Sequence, residues 1–298
     1  MSSKPRVAIL GLGIMGGGMA GRLLGEKFPV AVYNRSRQRA EPLTAMGATV
    51  CATAREAVAG AEVVIAMLAD DEASKSVWLG PDGGLAGAAA GTILIDSSTI
   101  SPGWVRELAA AAALRGCELL DAPVTGSKPQ AAGGQLLFLV GGSEAALECA
   151  RPVLAVLGRG VVHLGPVGSG ALMKLINNFV SGVQAVAIAE ALALIERTNL
   201  DPATALSVLT DGAPGSPLVK LLSKRMTTRD FTPNFLLKLM AKDLKYAIDE
   251  ASTRAVPLAT AGAALQTMRK AIDAGLGEED FSAVVELLRR SNQPAGHV

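Results

Sequence analysis

The sequence predicts an α/β domain with a parallel sheet covered by helices on both faces, followed by an all-α domain, the two joined by one long helix. Three observations carry that expectation. Short apolar runs alternate with helical stretches from Val7 to Leu164. The alternation stops at a glycine-rich turn, Gly165-Pro166-Val167-Gly168-Ser169-Gly170, and after Ala171 only helical patterns appear. The boundary is placed at that turn, giving a first domain over 1–166 and a second over 167–298.

The first strand is Val7 to Leu10, and Gly11-Leu12-Gly13-Ile14-Met15-Gly16 follows at once, leading into a helical pattern from Met19 to Leu24. Glycines suit this place because the turn is tight, the backbone must approach a pyrophosphate closely, and helix and strand must pack without a side chain between them. The helix N-terminus then offers free N–H groups to the phosphates. A GxGxxG between strand and helix at the start of a chain therefore points to a dinucleotide. The second strand, Val30 to Tyr33, ends in Asn34-Arg35-Ser36-Arg37, where a site selective for NAD usually presents Asp or Glu to the ribose hydroxyls. Arg35 and Arg37 with Ser36 instead suit a 2′-phosphate, which favours NADP and leaves NAD possible.

Strands are expected at 62–68, 92–95 and 118–120, and ligands in such sheets sit beyond the carboxyl ends of the strands. The segments there are Ala69-Asp70-Asp71, Asp96-Ser97-Ser98-Thr99 and Asp121-Ala122-Pro123-Val124-Thr125-Gly126-Ser127. The last two are dense in hydroxyls and small residues, as suits a small polar ligand; the same residues also cap helices and make turns. Gln130 to Gly134 read as a loop, 135–140 as a strand, Ser143 or Glu144 as the start of a helix, and Val161 to Leu164 as a last short strand containing His163, read as structural. In the second half, Asp201-Pro202 and Ser216-Pro217 open helices, and further helices are expected near 234–251, 257–274 and 279–290. His297 falls in the tail.

With 28 basic and 27 acidic residues among 298 the net charge is +1, which gives no overall field for nucleic acid or an anionic membrane. Three cysteines, Cys51, Cys117 and Cys149, have no metal-ligand spacing and read as reduced, buried thiols in a cytoplasmic protein. No metal site is expected. The most hydrophobic stretch, Phe179 to Ile195, contains Gln184 and Glu190, so no transmembrane helix is expected.

The joining helix, which starts in GSGALMKLINN, has one lysine near its start, Lys174, with Asn178 four residues on and so on the same face. On its own Lys174 reads first as a lysine reaching from a buried helix to water. Farther on, Lys238 and Lys245 read as the solvated edge of an amphipathic helix that also carries Lys242-Asp243.

Taken together, GLGIMGGGMAGRL, DSSTISP, DAPVTGS…AAGGQL, GSGALMKLINN and KDL, in this order and spacing, resemble the β-hydroxyacid dehydrogenase family, which includes 3-hydroxyisobutyrate dehydrogenases and glyoxylate/succinic semialdehyde reductases. The resemblance spans nearly the whole chain. It implies an N-terminal Rossmann domain and a helical C-terminal domain that closes over the substrate. Lys174 matches the catalytic lysine and Asn178 the asparagine hydrogen-bonded beside it. Thr125, Gly126 and Ser127 match the segment that binds the substrate carboxylate. Thr99 matches the threonine near the nicotinamide, Lys242 the lysine that contacts the cofactor, and Asp243 its neighbour at the active site. Phe235 falls where related reductases place an aromatic ring over the substrate pocket, Gly11 to Met15 hold the pyrophosphate, and Met67-Leu68 pass the adenosine side.

Thr125 departs from the usual serine, while Gly126-Ser127 followed by Lys128-Pro129 is more like the glyoxylate/succinic semialdehyde reductases, as is Arg35. The resemblance thus implies NADPH-dependent reduction of a small carboxylate-bearing aldehyde to the hydroxy acid, by a homodimer or homotetramer. An NAD-linked 3-hydroxyisobutyrate or related β-hydroxyacid dehydrogenase is the alternative. Imine reductases share the architecture but usually replace the lysine, and a non-catalytic cofactor-binding scaffold would be expected to lose Lys174 or Asn178.

Overall fold

Strand β1 (Val7–Leu10) is wholly buried inside a nine-stranded sheet. This is a computed structural model, and it describes residues 4–290. Strands β2 (Val30–Tyr33), β3 (Thr49–Val50), β4 (Val63–Ala66), β5 (Ile93–Asp96) and β6 (Glu118–Asp121) join β1 in the parallel order β3-β2-β1-β4-β5-β6. Three more complete the sheet: β7 (Val124–Thr125), β8 (Leu136–Gly141) and β9 (Gly158–Gly165). Strand β8 runs antiparallel to β6 and β7, and β9 runs parallel to β8.

The strands that carried the parallel expectation, β1, β2, β4, β5 and β6, are parallel as expected, and the sheet becomes mixed only at β8. Between β7 and β8 there is only a six-residue helix, about 9 Å long, too short to carry the chain back along the sheet for a parallel crossover. That helix is a correction, because it stands where a loop was expected from Gln130.

Helices α1 (Ile14–Gly25), α2 (Glu41–Thr44), α3 (Ala54–Val58), α4 (Asp71–Leu79), α5 (Gly84–Gly87), α6 (Pro102–Ala113), α7 (Lys128–Gly133) and α8 (Glu144–Leu157) belong to this unit. Successive strand residues feed opposite faces. Val7 and Ile9 pack with Met19 and Leu23 of α1 and Leu154 of α8, whereas Ala8 and Leu10 pack with Trp78 of α4 and Leu108 of α6. Covered on both sides, the strands read as continuous apolar runs rather than alternating ones. The cysteines are all free; Cys117 is buried, Cys51 half-buried and Cys149 exposed. The expectation of three buried thiols is thus corrected, since Cys149 lies on the outer face of α8 beside the exposed Glu148–Arg151 ion pair.

Helix α9 (Ser169–Ile195) has 27 residues, about 40 Å at 1.5 Å each. By contacts the chain divides into two compact units within this helix, Met1–Lys174 and Leu175–Val298. The first turn packs with the sheet because Gly170 has no side chain: a methyl there would lie 2.2 Å from the Leu139 carbonyl oxygen. By length and composition α9 passes as a membrane span, more than its polar interruptions suggested. Half of its apolar window is buried, and Ala185, Ile188 and Leu192 sit in the core of the second unit.

That unit continues with α10 (Pro202–Asp211), α11 (Pro217–Thr228), α12 (Leu237–Ser252), α13 (Ala259–Ala271) and α14 (Val284–Arg290). Asp201 and Ser216 cap α10 and α11 by accepting from the N–H groups of Thr204 and Val219. Helix α13 runs into a π-type turn, Ile272–Leu276, and α14 begins as a 3-10 turn at Phe281. His163 is exposed on β9 with its ring Nε2 2.8 Å from the Gly142 carbonyl oxygen. His297 lies outside the described residues.

Candidate active site

In the first unit, the strand order reverses between β1 and β4, which opens a crevice at their carboxyl ends. Gly11 adopts a φ of 95°, and a methyl there would lie 2.4 Å from the Met67 carbonyl oxygen. A methyl at Gly16 would lie 2.0 Å from the Gly11 carbonyl oxygen. The turn itself therefore demands these two glycines and brings Met67 against it. Gly13 is different: a methyl there meets only a guanidinium nitrogen of Arg39, at 3.9 Å. Among the described residues nothing requires glycine at 13, and α1 starts there without a side-chain cap, so the open space and free N–H groups fit a phosphate of a bound dinucleotide.

The residues singled out from the sequence near these strand ends have distinct surroundings. Asn34 Oδ1 accepts from the Leu12 N–H at 2.8 Å and its Nδ2 donates to the Ser36 carbonyl at 2.9 Å, so its side chain holds the turn. Arg35, Ser36 and Arg37 are exposed, Ile14 is exposed, and Met15 is half-buried against the first core. Leu68 N–H donates to Ser98 Oγ at 2.8 Å, which ties the loop after β4 to the loop after β5. Behind Ser98, the buried Asp96 carboxylate accepts from the Ser98 N–H, Ser74 Oγ and Trp78 Nε1. Burial outweighs those hydrogen bonds and pushes the Asp96 carboxyl up. Thr99, next along, is half-buried.

Thr125 ends β7, Gly126 takes a φ of 118°, and Ser127 opens α7. Ser127 donates from both its N–H, at 2.9 Å, and its Oγ, at 2.8 Å, to Gln130 Oε1. Asp121, at the end of β6, accepts from the N–H groups of Gly168 and Ala171 at 2.8 and 2.7 Å, and so caps α9 from the sheet. Burial pushes its carboxyl up to about 6 against the pull of those N–H groups. Lys174 follows Ala171 by three residues and is half-buried.

In the second unit, Asn178 is buried; its Nδ2 donates to Asp243 Oδ2 at 2.6 Å, and its Oδ1 accepts from Asn177 at 3.0 Å. The approach of α12 to α9 depends on Gly182, where a methyl would lie 3.0 Å from the Leu244 side chain. Asp243 is fully buried, and its Oδ1 lies 3.0 Å from Lys242 Nζ as an ion pair without a well-directed hydrogen bond. Lys242 Nζ also lies 4.8 Å from the centroid of the Tyr246 ring. Phe235 is half-buried and meets Phe281 edge-on at 5.8 Å, and its N–H and that of Asn234 donate to the buried carboxylate of Asp280. Lys238 and Lys245 form exposed ion pairs with Glu278 and Asp249. Among the described residues, no three His, Cys, Asp or Glu side chains gather as metal ligands.

Sequence reasoning gave no role to Arg39 or Asp280, placed Gln130 in a loop, and named Asp121 only within its segment. Arg39 stands four residues past Arg35 on a short helical turn, and its guanidinium reaches over Gly13. Asp121, Gln130 and Asp280 each act on backbone groups, and of these only the Ser127-x-x-Gln130 capping-box spacing was visible beforehand.

A crevice at the strand reversal with an open glycine turn defines a dinucleotide-binding enzyme fold. Residues 6–165 match the family described as the NAD binding domain of 6-phosphogluconate dehydrogenase, and residues 168–288 that described as NAD-binding of NADP-dependent 3-hydroxyisobutyrate dehydrogenase. Over 289 residues the chain is 36% identical to a Pseudomonas aeruginosa NAD-dependent L-serine dehydrogenase, covering 95% of this chain and 97% of the relative. It is 37% identical to glyoxylate/succinic semialdehyde reductase 1 of Arabidopsis thaliana, covering 96% and 99%. The structure of Mycobacterium tuberculosis 3-hydroxyisobutyrate dehydrogenase with L-serine superposes with a TM-score of 0.87 at 36% identity, covering 96% of this chain and 99% of that one. The chain belongs to the β-hydroxyacid dehydrogenase family, and is an NAD(P)-dependent oxidoreductase.

Proposed function

We propose that this enzyme reduces a small aldehyde acid, such as glyoxylate or succinic semialdehyde, with NADPH, and that Lys174 is the proton donor. The observation that carries the cofactor choice is the end of β2, where no carboxylate stands and Arg35 is exposed while Arg39 reaches over Gly13. In this reading Gly11, Leu12, Gly13, Ile14, Met15 and Gly16 hold the pyrophosphate, Asn34, Arg35 and Ser36 the ribose phosphate, and Met67, Leu68, Thr99 and Lys242 the remainder of the cofactor. Thr125, Gly126 and Ser127 clamp the substrate carboxylate, and Phe235 and Asp243 line its pocket.

A bound reduced nicotinamide supplies the hydride. The chain's own part is proton transfer and orientation. Lys174 gives a proton to the carbonyl oxygen as negative charge develops there. Asn178, fixed by Asp243, stands one turn along the same helix and orients that end of the site. The clamp fixes the acid so that the carbonyl faces the lysine.

The test is a panel of glyoxylate, succinic semialdehyde, methylmalonate semialdehyde and tartronate semialdehyde with NADPH and with NADH, and of L-serine and 3-hydroxyisobutyrate with the oxidised cofactors. We expect aldehyde reduction with NADPH to dominate, and Lys174→Ala to lower turnover by ~10²–10⁴-fold. Wild-type turnover in Lys174→Ala would remove the proton donor. The likeness to an NAD-dependent L-serine dehydrogenase supports a second reading, oxidation of a β-hydroxyacid with NAD. Faster serine or 3-hydroxyisobutyrate oxidation with NAD would establish that reading instead.

A further inference from the structure

The carboxylate clamp assigned above is already engaged by a residue of the chain itself. Ser127 directs its N–H and its Oγ–H to one atom, Gln130 Oε1, at 2.9 and 2.8 Å. An amide oxygen carries partial negative charge and two lone pairs, so it satisfies the same pair of donors as one oxygen of a carboxylate. Gly126 lets the segment turn back at a φ of 118°, and a methyl there would lie 3.0 Å from Gln130 Cβ, so the glycine holds Gln130 close to the clamp. Ser127 and Gln130 are both half-buried, so the pair stands at the surface of the unit rather than sealed in its core.

We propose that Gln130 is a specificity-determining residue: its amide oxygen occupies the Ser127 donors in the free enzyme, and a substrate carboxylate binds by displacing it. This rests on the carboxylate-clamp reading. Charge-assisted hydrogen bonds are about twice as strong as those to a neutral amide. An acid therefore displaces Gln130, whereas an ester or amide of the same shape gains little by doing so. Gln130 thus sets the preference for charged over uncharged substrates and raises the concentration of acid needed to fill the site.

The alternative is that Gln130 serves only as the third residue of a capping box for α7, a position where Glu performs as well as Gln. The two readings part on Gln130→Glu, which keeps the capping oxygen and adds a charge that competes with and repels the incoming carboxylate. The experiment measures KM for succinic semialdehyde against its methyl ester, and for glyoxylate against methyl glyoxylate, in wild type, Gln130→Ala, Gln130→Glu and Ser127→Ala. We expect Gln130→Ala to lower KM for the acids severalfold, and Gln130→Glu to raise it about tenfold or more, equivalent to about 1.4 kcal/mol, with little change for the esters. Acid-to-ester KM ratios within twofold of wild type in both Gln130 variants overturn the proposal. So does a rise in KM in Gln130→Ala that Gln130→Glu restores, which is the capping outcome. If Ser127→Ala leaves the acid-to-ester ratio unchanged, the clamp itself is misassigned and both readings fall. A raised ratio in Ser127→Ala with inert Gln130 variants keeps the clamp and removes only Gln130.

Discussion

Gly13 and Gly16 look alike in the sequence and stand in opposite positions in the structure. A methyl at Gly16 runs into the Gly11 carbonyl oxygen at 2.0 Å, and a backbone atom has no room to yield. Gly16→Ala is therefore expected to cost several kcal/mol or prevent folding, as overpacking against backbone does. At Gly13 a methyl meets only the end of the flexible Arg39 side chain, and the φ of −68° suits any residue. Gly13→Ala should melt within a few degrees of wild type, losing at most about 1 kcal/mol at the start of α1. Its effect belongs to the ligand, because the added methyl projects into the space assigned to the pyrophosphate. We expect KM for the cofactor to rise at least about tenfold, the equivalent of 1.4 kcal/mol. Thermal melts and cofactor titrations of both variants check this. An unchanged cofactor KM in a well-folded Gly13→Ala would show that no phosphate approaches that glycine.

Among the elements, α9 has its start fixed by a buried carboxyl from a distant strand. Asp121 caps it from β6 through the N–H groups of Gly168 and Ala171, three residues ahead of Lys174. Its carboxyl is raised from 3.8 to about 6 in the folded chain, so between those values the folded state holds a proton that the unfolded state has released. Stability from this group is therefore full below about pH 4 and is lost as pH rises through about 6, a change on the order of 3 kcal/mol. Asp121→Asn removes the titration and keeps one acceptor for two N–H groups, so it should be less stable than wild type at pH 5. The gap should shrink as pH rises to 7.5. Asp96 is raised in the same direction but is present in both proteins, so it cancels in the comparison. Denaturant unfolding at pH 5, 6 and 7.5 measures the gap; a constant or widening one would mean that Asp121 titrates as it does in the unfolded chain. The elements that sequence reading found are those with local signals. The β1–glycine–α1 unit and the capped starts of α10 and α11 are written in neighbouring residues. Strands β3 and β7, two residues each, are too short to show a period, and β7 forms where β8 pairs back onto it. The cap on α9 joins residues 47 and 50 apart, a contact no local pattern encodes.

At the scale of the molecule, each unit has its own apolar core, two clusters flanking the sheet in the first and one among the helices of the second. The two-domain plan was readable because an alternating pattern gave way to a purely helical one. The division after Lys174 was not, because it depends on the packing of Gly170 and Ala171 against the sheet unit rather than on a break in the helix. The glycine turn, Asn34 to Arg39 and Met67-Leu68, proposed above to hold the cofactor, all lie in the first unit, so on that proposal cofactor binding is linked to the stability of that unit. A ligand at 100 times its Kd that binds only the folded state adds about 2.7 kcal/mol. If Arg35 and Arg39 recognise a 2′-phosphate, NADP+ should raise the melting temperature of the full chain by several degrees, and NAD+ at the same concentration by clearly less. Arg35→Asp replaces the guanidinium with the carboxylate that suits ribose hydroxyls and repels the phosphate, so the order of the two cofactors should invert. If the units melt separately, the shift belongs to the transition of the first. Equal shifts with NAD+ and NADP+ in wild type, or an order unchanged by Arg35→Asp, would show that the exposed arginines after β2 do not select the cofactor.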